Sequence, residues 1–195
     1  CEEGMAPTYN GRMRGSGEPP WGGYSTRIVG DQDYVLRIPE GLPLDRAAPL
    51  LCAGITTWSP LRHFGVKPGD AVAVVGLGGL GHMAVKFAVA MGARVTVLST
   101  SESKREDALK LCAHDFAATR DPGTFKALSR TFDFIVDSVS APHDYNAYLS
   151  LLKVDGTMIL LGVPDQPAPV AAGSLIMQRR RLTGSLIGGI RETQE

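Results

Sequence analysis

Short apolar segments alternate with amphipathic segments along most of the chain from residue 71 onward. The apolar segments predict strands at 71–76, 93–99, 133–138, 157–162 and 182–187. Apolar positions at helical spacing predict helices at 79–91, 103–112, 123–130, 144–152 and 171–178. Repeated strand–helix units predict an α/β fold with a doubly wound parallel sheet that carries helices on both faces.

The chain before residue 71 has a different pattern. Residues 1–20 are polar and rich in glycine and proline, which predicts loop structure. The segments 24–29 and 34–38 alternate enough to predict two strands. Residues 45–64 have apolar positions at helical spacing, interrupted around Cys52-Ala53-Gly54.

The first strand of the repeating pattern runs directly into glycines with the spacing Gly76-x-Gly78-x-x-Gly81. Strand, glycine turn, helix and second strand together form the context in which this spacing indicates a Rossmann-type dinucleotide site. Gly76 allows the tight turn, Gly78 allows the backbone to approach a pyrophosphate, and Gly81 allows the helix to pack on the strand. The alternative is a glycine-rich turn without a ligand. We expect a nicotinamide dinucleotide to bind the turn Gly76, Leu77, Gly78, Gly79, Leu80 and Gly81.

The end of the second strand indicates which dinucleotide is bound. An NAD site usually has Asp or Glu there, whereas this strand ends in Ser99-Thr100-Ser101, and Lys104-Arg105 follow. Hydroxyl donors and cations suit a 2′-phosphate, which a carboxylate would repel. Alternatively, Ser101-Glu102 could cap the next helix, and Lys104-Arg105 could lie on its solvent-exposed face. We favour NADP, with Ser99, Thr100, Ser101 and Lys104 as its ligands.

Composition limits the classes of partner. Lys plus Arg number 20 and Asp plus Glu number 20, so the formal net charge of +0 gives no reason to expect nucleic acid or an acidic membrane. No apolar run approaches membrane-spanning length and no secretory signal is seen. The chain has three cysteines, and these cysteines are far apart in the sequence, so they do not form a disulfide framework. This favours a reducing compartment, and we expect a cytoplasmic protein. A start at Cys1 and a stop at Glu195 predict a partial sequence.

Several longer motifs resemble a known family. They are TYNG (8–11), GGYS (22–25), AAPLLCAGIT (47–56), SPLRHFGVKPGD (59–70), VGLGGLGHMAVKFA (75–88), DSVSA (137–141) and GSLIGGIRETQ (184–194). The chain is similar to zinc-dependent alcohol dehydrogenases of the medium-chain dehydrogenase/reductase superfamily, in the cinnamyl-alcohol-dehydrogenase-like branch. The resemblance covers nearly the whole chain. It implies that residues 1–55 end a mainly β, GroES-like catalytic domain and that 56–195 form an NADP-binding Rossmann domain lacking its C-terminal end.

The resemblance also implies two zinc ions. Cys52 in CAGIT matches the family's third protein ligand to a catalytic zinc, which needs three protein ligands and an open position. Without the resemblance, an isolated Cys on an apolar helix would be read as buried core. Cys1 matches the last of four cysteines that hold a structural zinc, whose other ligands would precede it. Cys112 is interpreted as a small core residue.

Other positions follow from the same resemblance. Thr56 resembles a catalytic-site residue that contacts the cofactor near the nicotinamide. Further cofactor contacts are expected after the later strands, where nucleotides lie in such sheets: Val139, Ser140, Gly162, Val163, Ser185 and Ile187. Strand-end turn chemistry alone would also explain these residues.

The remaining candidates have structural interpretations. His82, in the first helical turn after the glycines, is expected to be neutral and structural, because the helix dipole disfavours a cation there. His63, His114 and His143 show no partner pattern in the sequence. The run 179–181 consists of arginines that are expected to face water at a helix end.

The resemblance implies an NADP-dependent and zinc-dependent enzyme that interconverts primary alcohols and aldehydes, aromatic or aliphatic, by hydride transfer. Zinc would act as a Lewis acid on the substrate oxygen, and the protein would set the geometry of the nicotinamide. A homodimer is expected, with 182–190 at the contact. The alternatives are a zinc-free quinone or enone reductase of the same superfamily and a non-catalytic NADP-binding remnant.

Overall fold

The computed structural model describes residue 12 and residues 15–19, 23, 26–28 and 30–195. The chain divides into two units, Cys1–Leu36 and Arg37–Glu195. In the first unit, the described residues 26–28 have no strand structure, and the rest of the strand predicted at 24–29 lies outside the described residues. The strand predicted at 34–38 is wrong, because Tyr34 ends the 3₁₀ helix Gln32–Tyr34 and residues 35–39 have no regular structure.

The second unit is an α/β fold built on a parallel sheet. Its strands are β1 (Ala71–Val75), β2 (Arg94–Ser99), β3 (Asp115–Ala118), β4 (Phe132–Asp137), β5 (Leu152–Leu160) and β6 (Arg181–Gly184). The α-helices are α1 (Leu44–Ala47), α2 (Ala53–His63), α3 (Gly79–Ala90), α4 (Arg105–Lys110), α5 (Thr124–Ala127), α6 (Tyr145–Leu149), α7 (Ala172–Ile176) and α8 (Ile190–Gln194). Two further 3₁₀ helices span Ala48–Leu51 and Glu102–Lys104.

The six strands lie in the order β3-β2-β1-β4-β5-β6, and each strand pairs with its neighbours in parallel. This confirms the predicted Rossmann-type doubly wound sheet. The chain order reverses between β1 and β4, which is the point where such sheets bind ligands beyond the carboxyl ends of their strands.

Each face of the sheet has its own hydrophobic core. Val72 and Val74 of β1 pack with α2 and α3 on one face, and Ala73 and Val75 pack with α6 on the other. Successive strand residues point to opposite faces, so an apolar run such as AVAVV fills both cores. On the first face, α3 packs against α2 through small and branched side chains that include Ala84, Ala88 and Leu61.

The structure differs from the predicted elements at several element ends and in two short segments; β5, for example, begins at Leu152, within the predicted helix 144–152, and not at residue 157. Two elements of the structure were not predicted: β3, whose four residues begin with an acid, and α8, whose residues are mostly polar. The interruption predicted around Cys52-Ala53-Gly54 is confirmed, because Cys52, with a φ of −128° and a ψ of −80°, separates the 3₁₀ helix Ala48–Leu51 from α2. In the part of the chain that the structure describes, no helix has the length and apolarity that crossing a membrane requires.

Candidate functional site

The carboxyl ends of the strands meet in one row across the sheet. The pairing register joins Leu98 to Val75, Val75 to Asp137, Asp137 to Leu160 and Leu160 to Gly184. Most of the predicted cofactor contacts are residues that come shortly after this row in the chain. Gly76, Ser99 and Ser185 therefore come together at one edge, although long stretches of chain separate them.

On the side that faces the protein, the turn after β1 has room for backbone only. Gly76 has a φ of +84°, and a Cβ on it would lie 2.7 Å from Val139 Cγ2. A Cβ on Gly81 would overlap the carbonyl oxygen of Gly76. At Gly78 and Gly79, by contrast, a Cβ would meet no heavy atom within 4 Å. The turn is thus closed on its protein side and open on its outer side, which is the shape of a cradle for an anionic group.

The first turn of α3 leaves its amides available for such a group. Its N-cap is Gly78, and no side chain caps it among the described residues. Leu77 and Leu80 are half-buried and pack against the first core, which anchors the turn. His82 Nδ1 lies 3.2 Å from the carbonyl oxygen of Gly78. The structure therefore places His82 against the turn itself.

Hydroxyl groups and a lysine follow the end of β2. Gly76 N donates to Leu98 O at 2.9 Å, so Ser99 lies directly beside the glycine turn. Ser101 N donates to Ser99 Oγ at 3.3 Å, and the hydroxyls of Ser101 and Ser103 lie 2.7 Å apart. Thr100 is exposed. Lys104 Nζ is 3.9 Å from Asp107 Oδ2 and is half-exposed, which is a weak contact that an incoming anion can replace.

Arg105, the second cation of this segment, is already engaged. Its guanidinium pairs with Glu102, lies 4.8 Å from the centroid of the Phe116 ring and donates to Phe116 O at 3.2 Å. The hydrogen bond with Glu102 raises the pKa of Arg105. Arg105 thereby balances the charge of Glu102, and Lys104, whose contact with Asp107 is weak, remains as the cation available to a phosphate.

The loop after β4 lies between the glycine turn and the end of β5. Ser138 Oγ donates to Val75 O at 2.9 Å, and Val163 N donates to Ser140 Oγ at 3.2 Å. A Cβ on Gly162 would overlap the backbone of Val139, so the two loops touch through backbone. Val163 is exposed. This brings Val139, Ser140, Gly162 and Val163 to the same edge as the glycine turn.

The next segment along the edge follows β6. Ser185 N donates to Leu160 O at 3.1 Å, which extends the sheet pairing by one residue. Ile187 lies beyond the end of the strand and is exposed. The predicted strand at 182–187 thus ends earlier, at Gly184.

A buried pair at the end of β4 was missed by the sequence analysis. The Asp137 side chain is 1% exposed, and its Oδ2 lies 2.8 Å from His143 Nε2. The expectation that His143 has no partner is therefore wrong. Burial raises the pKa of Asp137, while Val139 N–H and His143 act in the opposite direction. The available signal was an acid at the apolar, buried end of the strand FDFIVD, with a histidine soon after it.

The predicted zinc ligand Cys52 stands at the N-cap of α2 and is exposed. It is therefore not the buried core residue that an isolated cysteine on an apolar helix would suggest. Thr56 is buried one turn later, and its N–H donates to Cys52 O at 3.0 Å. The described residues contain no group of three or more His, Cys, Asp or Glu that could hold a metal. Cys1 lies outside the described residues.

Two other expectations are corrected. Cys112 is exposed, with a φ of +67°, because it occupies the turn that ends α4, so it is not a core residue. The arginine run does not uniformly face water. Arg179 is exposed, but Arg180 is half-buried and donates to the carbonyl oxygens of Leu152 and Ser150 at 2.7 and 3.3 Å.

Comparison with known proteins agrees with this architecture. Residues 79–195 match the family model described as "Zinc-binding dehydrogenase". The chain is 61% identical over 192 residues to NADP-dependent alcohol dehydrogenase C 1 of Mycolicibacterium smegmatis, covering 98% of this chain and 55% of that protein. It thus spans about half the length of the curated relatives that it matches.

Solved structures give the same result. A cinnamyl alcohol dehydrogenase of Sorghum bicolor matches with a TM-score of 0.82 and 47% identity, over 84% of this chain and 47% of that one. A cinnamyl alcohol dehydrogenase of Helicobacter pylori, solved with NADP(H), matches with a TM-score of 0.81 and 43% identity, over 91% and 51%. The chain belongs to the zinc-binding dehydrogenase family.

Proposed function

We propose that this chain is the nucleotide-binding part of an NADP-dependent and zinc-dependent oxidoreductase that interconverts primary alcohols and aldehydes. The observation that carries the proposal is the edge where the glycine turn meets the end of β2. There, Ser99, Thr100, Ser101 and Lys104 offer hydroxyls and a cation at the place where an NAD site usually has an acid.

The residues at this edge fit a dinucleotide. The open side of Gly78 and Gly79 and the uncapped amides of α3, within the described chain, suit the pyrophosphate. Ser99, Ser101 and Lys104 would hold the 2′-phosphate, and Val139, Gly162 and Ser185 would border the nicotinamide half. When bound, the nicotinamide supplies the hydride chemistry. The names of the Mycolicibacterium and Helicobacter relatives, which mention NADP, support this choice.

The thiol of Cys52 is the part of a catalytic zinc site that this chain would contribute. Its exposure at the start of α2 leaves the sulfur accessible, and a thiolate is a preferred zinc ligand. When bound by such ligands, zinc supplies Lewis-acid polarisation of an alcohol or carbonyl oxygen. Cys52 would hold the metal, and Thr56 would lie on the cofactor side of the same helix. Cys1 is proposed as a ligand of a separate structural zinc.

We assign residues 1–55 to the end of a GroES-like catalytic domain and 56–195 to the Rossmann domain. The substrates proposed are aromatic or aliphatic alcohols and aldehydes. A homodimer is proposed, with 182–190 at the contact, where Leu186 and Ile187 are exposed.

Substitution of Cys52 in the natural protein that carries this chain tests the proposal. Cys52→Ala should abolish NADP-linked alcohol oxidation and lower the zinc content, while leaving NADPH affinity unchanged, because the dinucleotide edge does not use the thiol. Cys112→Ala is the matched control, since it removes another exposed thiol and should leave all three quantities unchanged.

The outcomes separate the candidate functions. Wild-type protein that reduces aldehydes with NADPH, and loses this activity together with zinc in Cys52→Ala, supports the proposal. Retained activity and zinc content in Cys52→Ala would refute the ligand assignment. NADPH binding without turnover of any alcohol or aldehyde would favour the non-catalytic alternative.

A further inference from the structure

The carboxylate of Asp137 is buried in the centre of the sheet. Asp137 pairs with Val75 on one side and with Leu160 on the other, at the point where the strand order reverses. Removing a carboxylate from water is unfavourable unless hydrogen bonds compensate for the lost hydration. Asp137 has two such bonds: Oδ1 accepts from Val139 N at 3.0 Å, and Oδ2 faces His143 Nε2 at 2.8 Å.

The second nitrogen of His143 is also engaged. Nδ1 lies 2.8 Å from the carbonyl oxygen of Ala141, which can only accept a hydrogen bond. Nδ1 must therefore carry a hydrogen in this contact. The contact between Nε2 and Oδ2 needs a further hydrogen, either on the imidazole or on the carboxyl group. The pair thus holds one proton more than a neutral imidazole beside a carboxylate.

These bonds close the loop 138–142 on itself. Its first half is tied to Asp137 through Val139 N–H, and its second half is tied through Ala141 and His143. The closed loop meets the glycine turn, where Ser138 bonds to Val75 O and Val139 approaches Gly76. It also meets the next loop through Gly162. The shape of this part of the edge therefore depends on the pair.

The pair is not the simplest way to stabilise the fold. A buried ion pair is weak support for stability, since well-packed apolar residues at such positions are often as stable or more stable. The His143 ring already has apolar neighbours, because Tyr145 and Tyr148 pack edge-on against it at 4.9 and 5.3 Å between centroids. What an apolar pair could not supply is the set of directional bonds to Val139 N–H and Ala141 O.

We propose that Asp137 and His143 are positioning residues for the dinucleotide, and that their shared proton holds the loop 138–142 in the shape that nucleotide binding requires. The inference rests on the proposed function. The pair acts through the loop backbone and does not contact the nucleotide. Loss of the proton breaks one of the two bonds of His143, so nucleotide affinity falls as the pH rises.

The other titratable groups around His143 are identifiable. On α6, burial raises the pKa of both Tyr145 and Tyr148, so both stay neutral near pH 7. Asp144 lies on the same loop and accepts from Asn146 N at 2.9 Å. Asp165 is exposed in the loop after β5, beside the residues that line an open cavity of about 390 Å³ next to His143.

The test compares NADPH affinity, measured by nucleotide fluorescence, from about pH 6 to about pH 9. His143→Phe keeps an aromatic ring among the tyrosines but removes both bonds, and should weaken NADPH about tenfold throughout. Asp137→Asn is the conservative variant, which keeps both hydrogen bonds of the side chain but needs no shared proton. Its amide oxygen accepts from Val139 N–H and its NH₂ donates to a neutral His143 Nε2, so it should bind nearly as tightly as wild type without the pH dependence.

Two features make the result specific. His63→Phe is the matched control, since His63 is exposed at the end of α2, and this variant should behave as wild type. The 2′-phosphate of the nucleotide also titrates in this range, but it is the same in measurements on wild type and on Asp137→Asn. The difference between Asp137→Asn and wild type therefore reports the pair alone. Circular dichroism of each variant establishes that it is folded.

The inference is overturned if folded His143→Phe binds NADPH as wild type does, or if Asp137→Asn keeps the wild-type pH profile. It is also overturned if nitrogen NMR of the imidazole shows one unprotonated nitrogen in His143 near pH 7 while Asp137 is ionised. A wild-type chain that is folded and binds NADPH at no pH would instead refute the proposed function, and the dinucleotide role with it. The NMR measurement reports the shared proton without any nucleotide.

Discussion

The turn after β1 and the loop after β4 lie side by side at the carboxyl edge of the sheet, but different chemistry fixes their shapes. The first is shaped by the absence of side chains, since a Cβ at Gly81 would overlap the carbonyl of Gly76. The second is shaped by two side chains, Asp137 and His143, that bond to the loop they enclose.

This difference determines whether each turn can be recognised in the sequence and whether its shape can change with pH. A steric turn has a fixed local spacing, so its motif is visible in the sequence, and its shape does not change with pH. A turn closed by a buried acid and a histidine has no equally fixed spacing, and its bonds depend on protonation. The edge thus combines a permanent cradle with a loop that can respond to pH.

The largest expected effect comes from filling the steric turn. Gly81→Val should destabilise the chain by about 3 kcal/mol, because the added atoms would overlap the backbone of Gly76, which can shift only at a large cost in free energy. Gly79→Ala, where a Cβ meets open space, should change the stability by less than about 1 kcal/mol. Urea unfolding of both variants tests this, and equal destabilisation would contradict the steric account.

The segment before β6 resembles the loop after β4, because a side chain also holds it: Arg180 donates hydrogen bonds to backbone carbonyls. Arg180→Met should lower the free energy of unfolding by about 2 kcal/mol, because the carbonyls of Ser150 and Leu152 lose charged donors. Arg179 is 81% exposed, so Arg179→Met should stay within about 0.5 kcal/mol of wild type. Thermal and urea unfolding measure both variants. A larger loss for Arg179→Met would refute this assignment.

A charge placed beside the steric turn should change nucleotide preference without changing the fold. Ser99→Asp should weaken NADPH relative to NADH by at least about tenfold, because a carboxylate repels a 2′-phosphate. Ser129→Asp adds the same charge to an exposed position before β4 and should leave the preference unchanged. Fluorescence titration with both nucleotides gives the ratio. An unchanged ratio in Ser99→Asp would remove the reason to assign NADP to this edge.

The smallest expected effect concerns the pH dependence of stability. Burial raises the pKa of Asp137 in the folded chain, so its protonated form is favoured there relative to the unfolded chain. The corresponding stabilisation is complete below the unfolded carboxyl pKa and is lost as the pH rises through the folded value. Asp137→Asn lacks this effect, so wild type should lose stability relative to the variant as the pH rises from below the unfolded carboxyl pKa of about 3.9 through the folded value. A difference in unfolding free energy that is constant over this range would contradict the pKa shift.

Much of the fold could be predicted from the sequence because its core strands are locally distinctive. Runs such as AVAVV and the helix that follows the glycines have periodicities that neighbouring residues alone establish. The short edge strand β3 and the polar helix α8 were missed because tertiary pairing, and not local pattern, stabilises them. The strand predicted at 34–38 failed for the same reason, since alternation alone does not supply a partner strand.

The candidate site divides in the same way. The glycine turn could be read from spacing, and the structure places Ser99, Val139 and Gly162 beside it because parallel strands end together. The partnership of Asp137 with His143 could not be read, because it depends on how the loop between them folds back. The same holds for Arg180, whose neighbours in sequence suggested a solvent-exposed run.

The affinity of the unmodified chain for NADPH and NADH tests the central claim most directly. The account predicts that NADPH binds at least about tenfold more tightly than NADH, since Ser99, Ser101 and Lys104 would bind the additional phosphate. A folded chain that binds both nucleotides equally, prefers NADH, or binds neither would contradict it.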